Sequence, residues 1–180
     1  IESARPSGFI VNEPHVSHGP MYGHGFATLF LAEVHGMDAR PEARKRVRVV
    51  LKRAVDLIVR TQNKEGGWRY EPRPVRAADL SVTVCQIMAL RAARDAGFHV
   101  PDPTRNKCIE YVRNSNSKNG SFSYTLGRGG GSDACALCHQ FRLGLCVQRA
   151  RTVGGSRRRD GSAHLGGGET TFGVVPAKRA

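Results

Sequence analysis

A chain of 180 residues with 39% hydrophobic content can bury one core, but no apolar run in it approaches the length of a membrane span. The net charge of +13 points toward polyanions, yet its placement argues against a dedicated nucleic-acid site and for weak, non-specific adhesion. Lys45, Arg46, Arg48, Lys52, Arg53 and Arg60 fall on the solvated side of one amphipathic helix, and Arg157, Arg158 and Arg159 have no aromatic neighbours for base stacking.

The sequence begins at Ile1 rather than at a methionine, as expected of a processed product or a fragment, and this leaves the compartment open. Residues 1–19, rich in Pro, Gly, Ser and His, read as an irregular lead-in. A first helix is expected over 21–35, with Phe26, Leu29, Phe30 and Val34 as its apolar stripe and Gly36 as its stop. A second starts near Pro41, with Glu42 beside its positive end and Val47, Val50, Leu51, Ala54, Leu57 and Ile58 on its buried face. A third opens at Asp79, a residue suited to an N-cap, and is apolar on nearly every side from Leu80 to Leu90, so it is a buried helix. Asp102 and Pro103 cap a fourth, which carries Cys108, Tyr111 and Val112 on one face and ends near Asn114. Cys85 and Cys108 act there as small hydrophobes, and the odd total of five cysteines does not make a disulfide framework. Period-two alternation is absent throughout, which predicts an all-α class.

Two turns superimpose when the chain is slid by 54 positions: Gln62 meets Asn116, Gly66 meets Gly120, Trp68 meets Phe122 and Tyr70 meets Tyr124. A helix-pair repeat of this length signals a solenoid or a closed ring, because one pair cannot bury its own faces. The stretch from Arg53-Ala54 through Leu57-Ile58-Val59 to Gln62 and Gly66-Gly67-Trp68 resembles the QW motif of squalene and terpene cyclases, though it lacks the aromatic residue usual before the aliphatic trio. In that motif Gln satisfies backbone groups at helix ends, Gly permits the turn and Trp packs over it. The stretches 19–33 and 79–93 are similar to the prenyltransferase/squalene-oxidase repeat proteins of planctomycete type. The resemblance covers about residues 19–126 and implies a partial α/α toroid of the terpenoid-cyclase and protein-prenyltransferase kind, with repeats over 20–131. It further implies a cavity for an apolar or isoprenoid-like ligand, with the remainder of the ring outside this chain and no activity in this piece alone. The alternative is a non-catalytic structural or interaction module.

The family's chemistry carries over poorly. Squalene-hopene-type cyclases protonate an alkene with the central Asp of an Asp-x-Asp-Asp motif, which falls here on Asp79-Leu80-Ser81-Val82, so only the first Asp remains and Ser81 is too weak an acid. Asp79 is therefore the one catalytic candidate, set against its reading as a helix cap. The zinc set of protein prenyltransferases is not matched, since Asp79 and Cys85 have no motif-placed His, and the thioester signature of complement-like proteins is missing. His15, His18 and His24 have no carboxylate or cysteine spaced to complete a metal site. Tyr22 and His24 remain as candidates to face a ligand cavity. Cys135-Ala136-Leu137-Cys138-His139 has the form of a haem c attachment motif, but no cytochrome-like helix pattern surrounds it and haem is set aside.

Beyond Ser132 the pattern degrades. Asp133 keeps the 54-residue register with Asp79, yet Arg142 and Gly144 fall where Met88 and Leu90 lie in the buried helix, and helical periodicity is lost from Arg149 onward. The Arg-, Gly- and Ala-rich composition is that of a GC-rich gene read out of frame. Residues 132–180 are expected to be a degenerate or frame-shifted tail, largely disordered.

Overall fold

The structure, a computed structural model, describes residues 2–12, 19–37, 40–116 and 122–127. Within them lie four helices, α1 (Pro20–Met37), α2 (Pro41–Thr61), α3 (Leu80–Asp95) and α4 (Asp102–Ser115), two single antiparallel bridges and no strand, so the described chain is all-α. None of these helices is long and apolar enough to cross a membrane. The expectations for His15, His18, Gly120, the Cys135–Cys138–His139 motif and the tail from 132 lie outside the described residues.

Helix α2 follows its sequence pattern. Pro41 opens it, Val47, Leu51, Ala54, Leu57 and Ile58 are buried as expected, and Val50 is half-buried. Helix α3 holds the centre: it packs against α1, α2 and α4, with α1 as its principal partner. That pairing is close because Gly25 has no side chain; a Cβ there would lie 2.8 Å from Gln86 Nε2 and 3.1 Å from Cys85 Cβ. Gln86, fully buried, uses the proximity to donate its Nε2 hydrogen to the Met21 carbonyl at 2.8 Å.

Helix α1 turns the other way from its expected stripe. Its buried side is Met21, His24, Gly25, Thr28, Leu31, Ala32 and His35, whereas Phe26 is 49% and Phe30 65% exposed, with Leu29 and Val34 half-buried. Close approach to α3 selects the small residues inward and sends the large aromatics to the opposite side. Gly36 does not stop the helix, which runs one residue further to Met37. Two caps also differ from expectation. Asp79 stands at the N-cap position of α3 without a side-chain capping bond, and Pro101 rather than Asp102 precedes α4, whose first turn Asp102 enters to pair with Arg105 at 3.1 Å.

The repeat is written in hydrogen bonds at its corners. Thr61 Oγ1 donates to the Leu57 carbonyl and Ser115 Oγ to the Tyr111 carbonyl, each at 2.8 Å, and the amides of Gln62 and Asn116 close the two helix ends on Val59 and Arg113. These pairs keep the 54-residue register. Helix α4 has 14 residues against 21 in α2, so the shortening, two turns, lies at its amino end. Within the first corner Asn63 N–H donates to Gly67 O at 3.0 Å and Gly66 N–H to Asn63 O at 3.2 Å.

The same figure recurs in the segment that composition marks as an irregular lead-in. Arg5 N–H donates to Phe9 O and Gly8 N–H to Arg5 O, both at 2.9 Å, and a bridge joins Ala4 to Ile10 as another joins Asn116 to Phe122. Gly8 and Gly66 both have positive φ, 89° and 95°, and a Cβ on either would stand 2.2 Å from a backbone carbonyl oxygen, that of Arg53 in α2 or of Lys107 in α4. Each corner thus docks on the second helix after it, α2 or α4, labelled outer, while the first, α1 or α3, is labelled inner. Each also bonds the inner helix that follows it: Ile10 N–H donates to His24 Nδ1 at 3.1 Å and Trp68 N–H to Thr83 Oγ1 at 3.0 Å. Each inner helix is closed in turn by the next corner, through Met21 N–H to Tyr70 O at 3.1 Å and Leu80 N–H to Tyr124 O at 2.9 Å. Residues 4–10, 62–68 and the pair Asn116–Phe122 are three equivalent joints, and Phe9 and Ile10 belong to the core.

The corner glycines predict a contrast. Gly66→Ala places a methyl group against a backbone carbonyl in a left-handed conformation and should cost roughly 2 kcal/mol or more. Gly23→Ala, with nothing within 4 Å of the new Cβ on helix α1, should stabilise by about 0.5–1 kcal/mol. Urea titrations followed by Trp68 emission will read both. His24 gives a pH prediction. Burial lowers its pKa from 6.5 to about 4, and it must be neutral to accept from Ile10. The unfolded chain takes up the proton first, so stability is full above pH 6.5 and falls by about 3 kcal/mol as pH drops to 4, then levels off. His24→Gln should flatten that window.

Candidate functional site

The amino ends of α1 and α3 lie beside the corner after each of them, and there four hydroxyl groups meet. Tyr22 and Ser81 occupy the same place in successive inner helices, and Tyr70 and Tyr124 the same place in successive corners. Tyr22 Oη is 2.5 Å from Ser81 Oγ, Ser81 Oγ donates to Tyr124 Oη at 3.2 Å, and Tyr124 Oη is 2.9 Å from Tyr70 Oη. The Tyr22 and Tyr70 rings sit 6.2 Å apart and tilted. Gly19 permits this: a Cβ there would be 2.7 Å from the Tyr70 ring and 2.9 Å from the Tyr22 ring.

Beneath the hydroxyls lies Asp79, fully buried. Its Oδ1 accepts from Thr125 Oγ1 at 3.1 Å, while its Oδ2 lies 3.3 Å from Arg69 Nε, within ion-pair reach but out of hydrogen-bond alignment. Arg69 also stacks over Tyr70, with 5.5 Å from guanidinium carbon to ring centroid. The Asp79 carbonyl accepts from Thr83 N–H at 2.9 Å, so the backbone of this residue starts α3 while its side chain ties the turn that precedes the helix, through Arg69, to the later turn that carries Thr125. A carboxylate that receives hydrogens on one side and a guanidinium on the other is placed to hold structure.

Burial pushes the Tyr22 hydroxyl up to about 12. Tyr70 is raised by its bond to Tyr124 first, then by burial and by the nearby Asp79 carboxylate. Both phenols are therefore neutral at ordinary pH, and the cluster presents uncharged oxygen atoms.

The sequence candidates separate here. Tyr22 joins the hydroxyl cluster, but His24, two residues on, lies on the opposite side of α1, fully buried with its ring 5.4 Å from Phe9. Its Nε2 has no partner in hydrogen-bond geometry, although the Ala54 backbone partly offsets the lowering of its pKa. Gln62 donates through Nε2 to the carbonyls of Gly66 at 2.9 Å and Thr104 at 3.0 Å, with Cys108 Sγ at 3.3 Å. Trp68 is 1% exposed and donates Nε1–H to the Ile58 carbonyl at 2.8 Å, while Phe122 is half-buried. Gly67 lies against Ala78 and Thr83. The corner residues are thus the joint of the repeat, and Tyr70 and Tyr124 alone among them also enter the hydroxyl cluster. Sequence reasoning missed Arg69 and Thr125 as partners of Asp79; the placement of Arg69 directly before a repeat-register tyrosine was the available signal. Among the described residues no three His, Cys, Asp or Glu side chains come together as a metal site needs.

Removing the Arg69 guanidinium leaves a buried carboxylate oxygen unmatched. Arg69→Ala should cost about 1–3 kcal/mol, reduced from the cost of a fully buried pair because the arginine is 40% exposed. Arg73→Ala, which breaks the exposed pair with Glu71, should cost about 0–1 kcal/mol in the same urea assay.

Comparison of the chain with family models, with curated proteins and with solved structures gives no match in any of the three.

Proposed function

We propose that this chain is a helix-hairpin repeat protein of the terpenoid-cyclase and prenyltransferase type, its units belonging to an α/α toroid, and that it binds an apolar or isoprenoid-like molecule without cyclising it. The corner carries the reading. Gln62 on the carbonyls of Gly66 and Thr104, Gly66 against the following outer helix and Trp68 closed on Ile58 do the work that the QW motif assigns to its Gln, Gly and Trp. The ligand follows from α1, where Phe26 and Phe30, four residues apart, stand exposed on the side turned away from the core. Cyclisation lacks its acid, since Ser81 stands where the family's central Asp would be and Asp79 is occupied by Thr125 and Arg69.

A structural or interaction module is the second reading. Met37, 83% exposed on the same side of α1, favours it, because it extends the apolar side to the carboxyl end of the helix. Native mass spectrometry of the 180-residue chain with polyprenyl lipids separates the two. Retained lipid that is lost in the double variant Phe26→Ser/Phe30→Ser is the expected outcome; a chain that keeps no lipid would leave the scaffold reading standing.

A further inference from the structure

The two inner helices stand in a fixed correspondence. Tyr22 and Ser81 lie 59 residues apart, and the same shift carries Met21 onto Leu80 and His24 onto Thr83, the positions that bond successive corners. Helix α3 meets α1 through Cys85 and Gln86, which close on Gly25 and the Met21 carbonyl, and Ala89 follows one turn on. Cys85 is 4% exposed and Ala89 fully buried. Their counterparts in α1 are Phe26 and Phe30, 49% and 65% exposed. The side that α3 keeps covered with an inner helix is therefore the side that α1 leaves open.

The correspondence also runs forward along the chain. Gly25 meets α3, and Leu29 and Ala32 continue that side of α1 at helical spacing. The same places in α3 hold Val84, Met88 and Arg91. Val84 is buried, Met88 half-buried and Arg91 exposed, its Nε 3.9 Å from Asp95, at the limit of ion-pair reach. Glu33, the one acidic residue of α1, is exposed just beyond Phe30. Within the chain Gly25 stands level with Cys85. That stagger, applied to the open sides, sets Phe26 level with Val84, Phe30 with Met88 and Glu33 with Arg91. Apolar residues then face apolar ones, and an acid faces a base.

We propose that a second copy of this chain covers the open side of α1, its α3 taking the place that α1 takes beside α3 within one chain. This rests on the interaction-module reading above and names the partner; a polyprenyl lipid on Phe26 and Phe30 competes for the same side. The pairing is head-to-tail. Each copy has one α1 side and one α3 side to offer, so association continues past two copies unless they close a ring. Phe26 and Phe30 are larger than Cys85 and Ala89, so the paired helices lie further apart than α1 and α3 do. One helix face per copy is a small interface, and the affinity should fall at about 10–100 μM.

Sedimentation velocity of the 180-residue chain, in a concentration series spanning that range, tests the pairing. The unaltered chain should pass from monomer to dimer and on to larger species. Phe30→Asp changes an exposed side chain and should weaken association about tenfold or more. Arg91→Glu, which sets an acid against Glu33, should weaken it about as much. Mixed in equal amounts, the two variants should recover a one-to-one dimer and grow no further, because each supplies the side that the other has lost. Recovery on mixing also excludes misfolding as the cause of the loss. Glu33→Arg/Arg91→Glu in one chain should restore association to within about threefold of the unaltered chain. Loss with Phe30→Asp but not with Arg91→Glu, and no recovery on mixing, overturns the head-to-tail pairing in favour of α1 on α1. A monomer throughout overturns self-pairing. If that monomer keeps no polyprenyl lipid, the interaction-module reading stands with another partner; if it retains lipid, that reading falls as well.

Discussion

A glycine pressed against a carbonyl is the contact on which this fold turns. Gly8 meets Arg53 O and Gly66 meets Lys107 O, each in a left-handed conformation and each with no room for a methyl group. The contact fixes the distance between a corner and the outer helix after it. The amide of the corner's last residue then reaches the inner helix, through His24 in one unit and Thr83 in the next. Different side chains serve one purpose: each offers a buried acceptor to a backbone hydrogen that would otherwise lie unmatched. The acceptor's identity is free to change so long as it stays uncharged.

Most of the helical frame is legible in the residues. The apolar spacing of α2, the opening at Pro41 and the all-round apolarity of α3 lead to the observed elements, because local periodicity and burial agree there. Helix α1 reads wrongly for a physical reason. It is apolar on two sides, and size decides which goes inward: the close approach to α3 admits Gly25, Thr28 and Ala32 and excludes Phe26 and Phe30. The corner at 4–10 is hidden because its partners are backbone atoms; once Gln and Trp are replaced by Ala4 and Ile10, only Gly8 is left to mark it.

The candidate site is legible only in part. Tyr22, Tyr70 and Tyr124 stand out as residues, and the 54-residue register already pairs the last two. That Ser81 would join them, and that Asp79 would forgo capping its own helix to hold Thr125 and Arg69, depends on chain segments far apart in sequence. A polar residue at a helix start has two possible partners, its own first turn and whatever the tertiary fold brings, and the second is invisible to spacing.

The bonds from Met21 N–H to Tyr70 and from Leu80 N–H to Tyr124 alter how the two inner helices open. Amides in the first turn of a helix ordinarily have no partner but water and exchange their hydrogens soonest. Here those two amides are held by carbonyls 49 and 44 residues later in the chain. Releasing either one requires the following corner to let go, so the start of each inner helix exchanges with its neighbouring unit, and the usual frayed end becomes a point of cooperative protection.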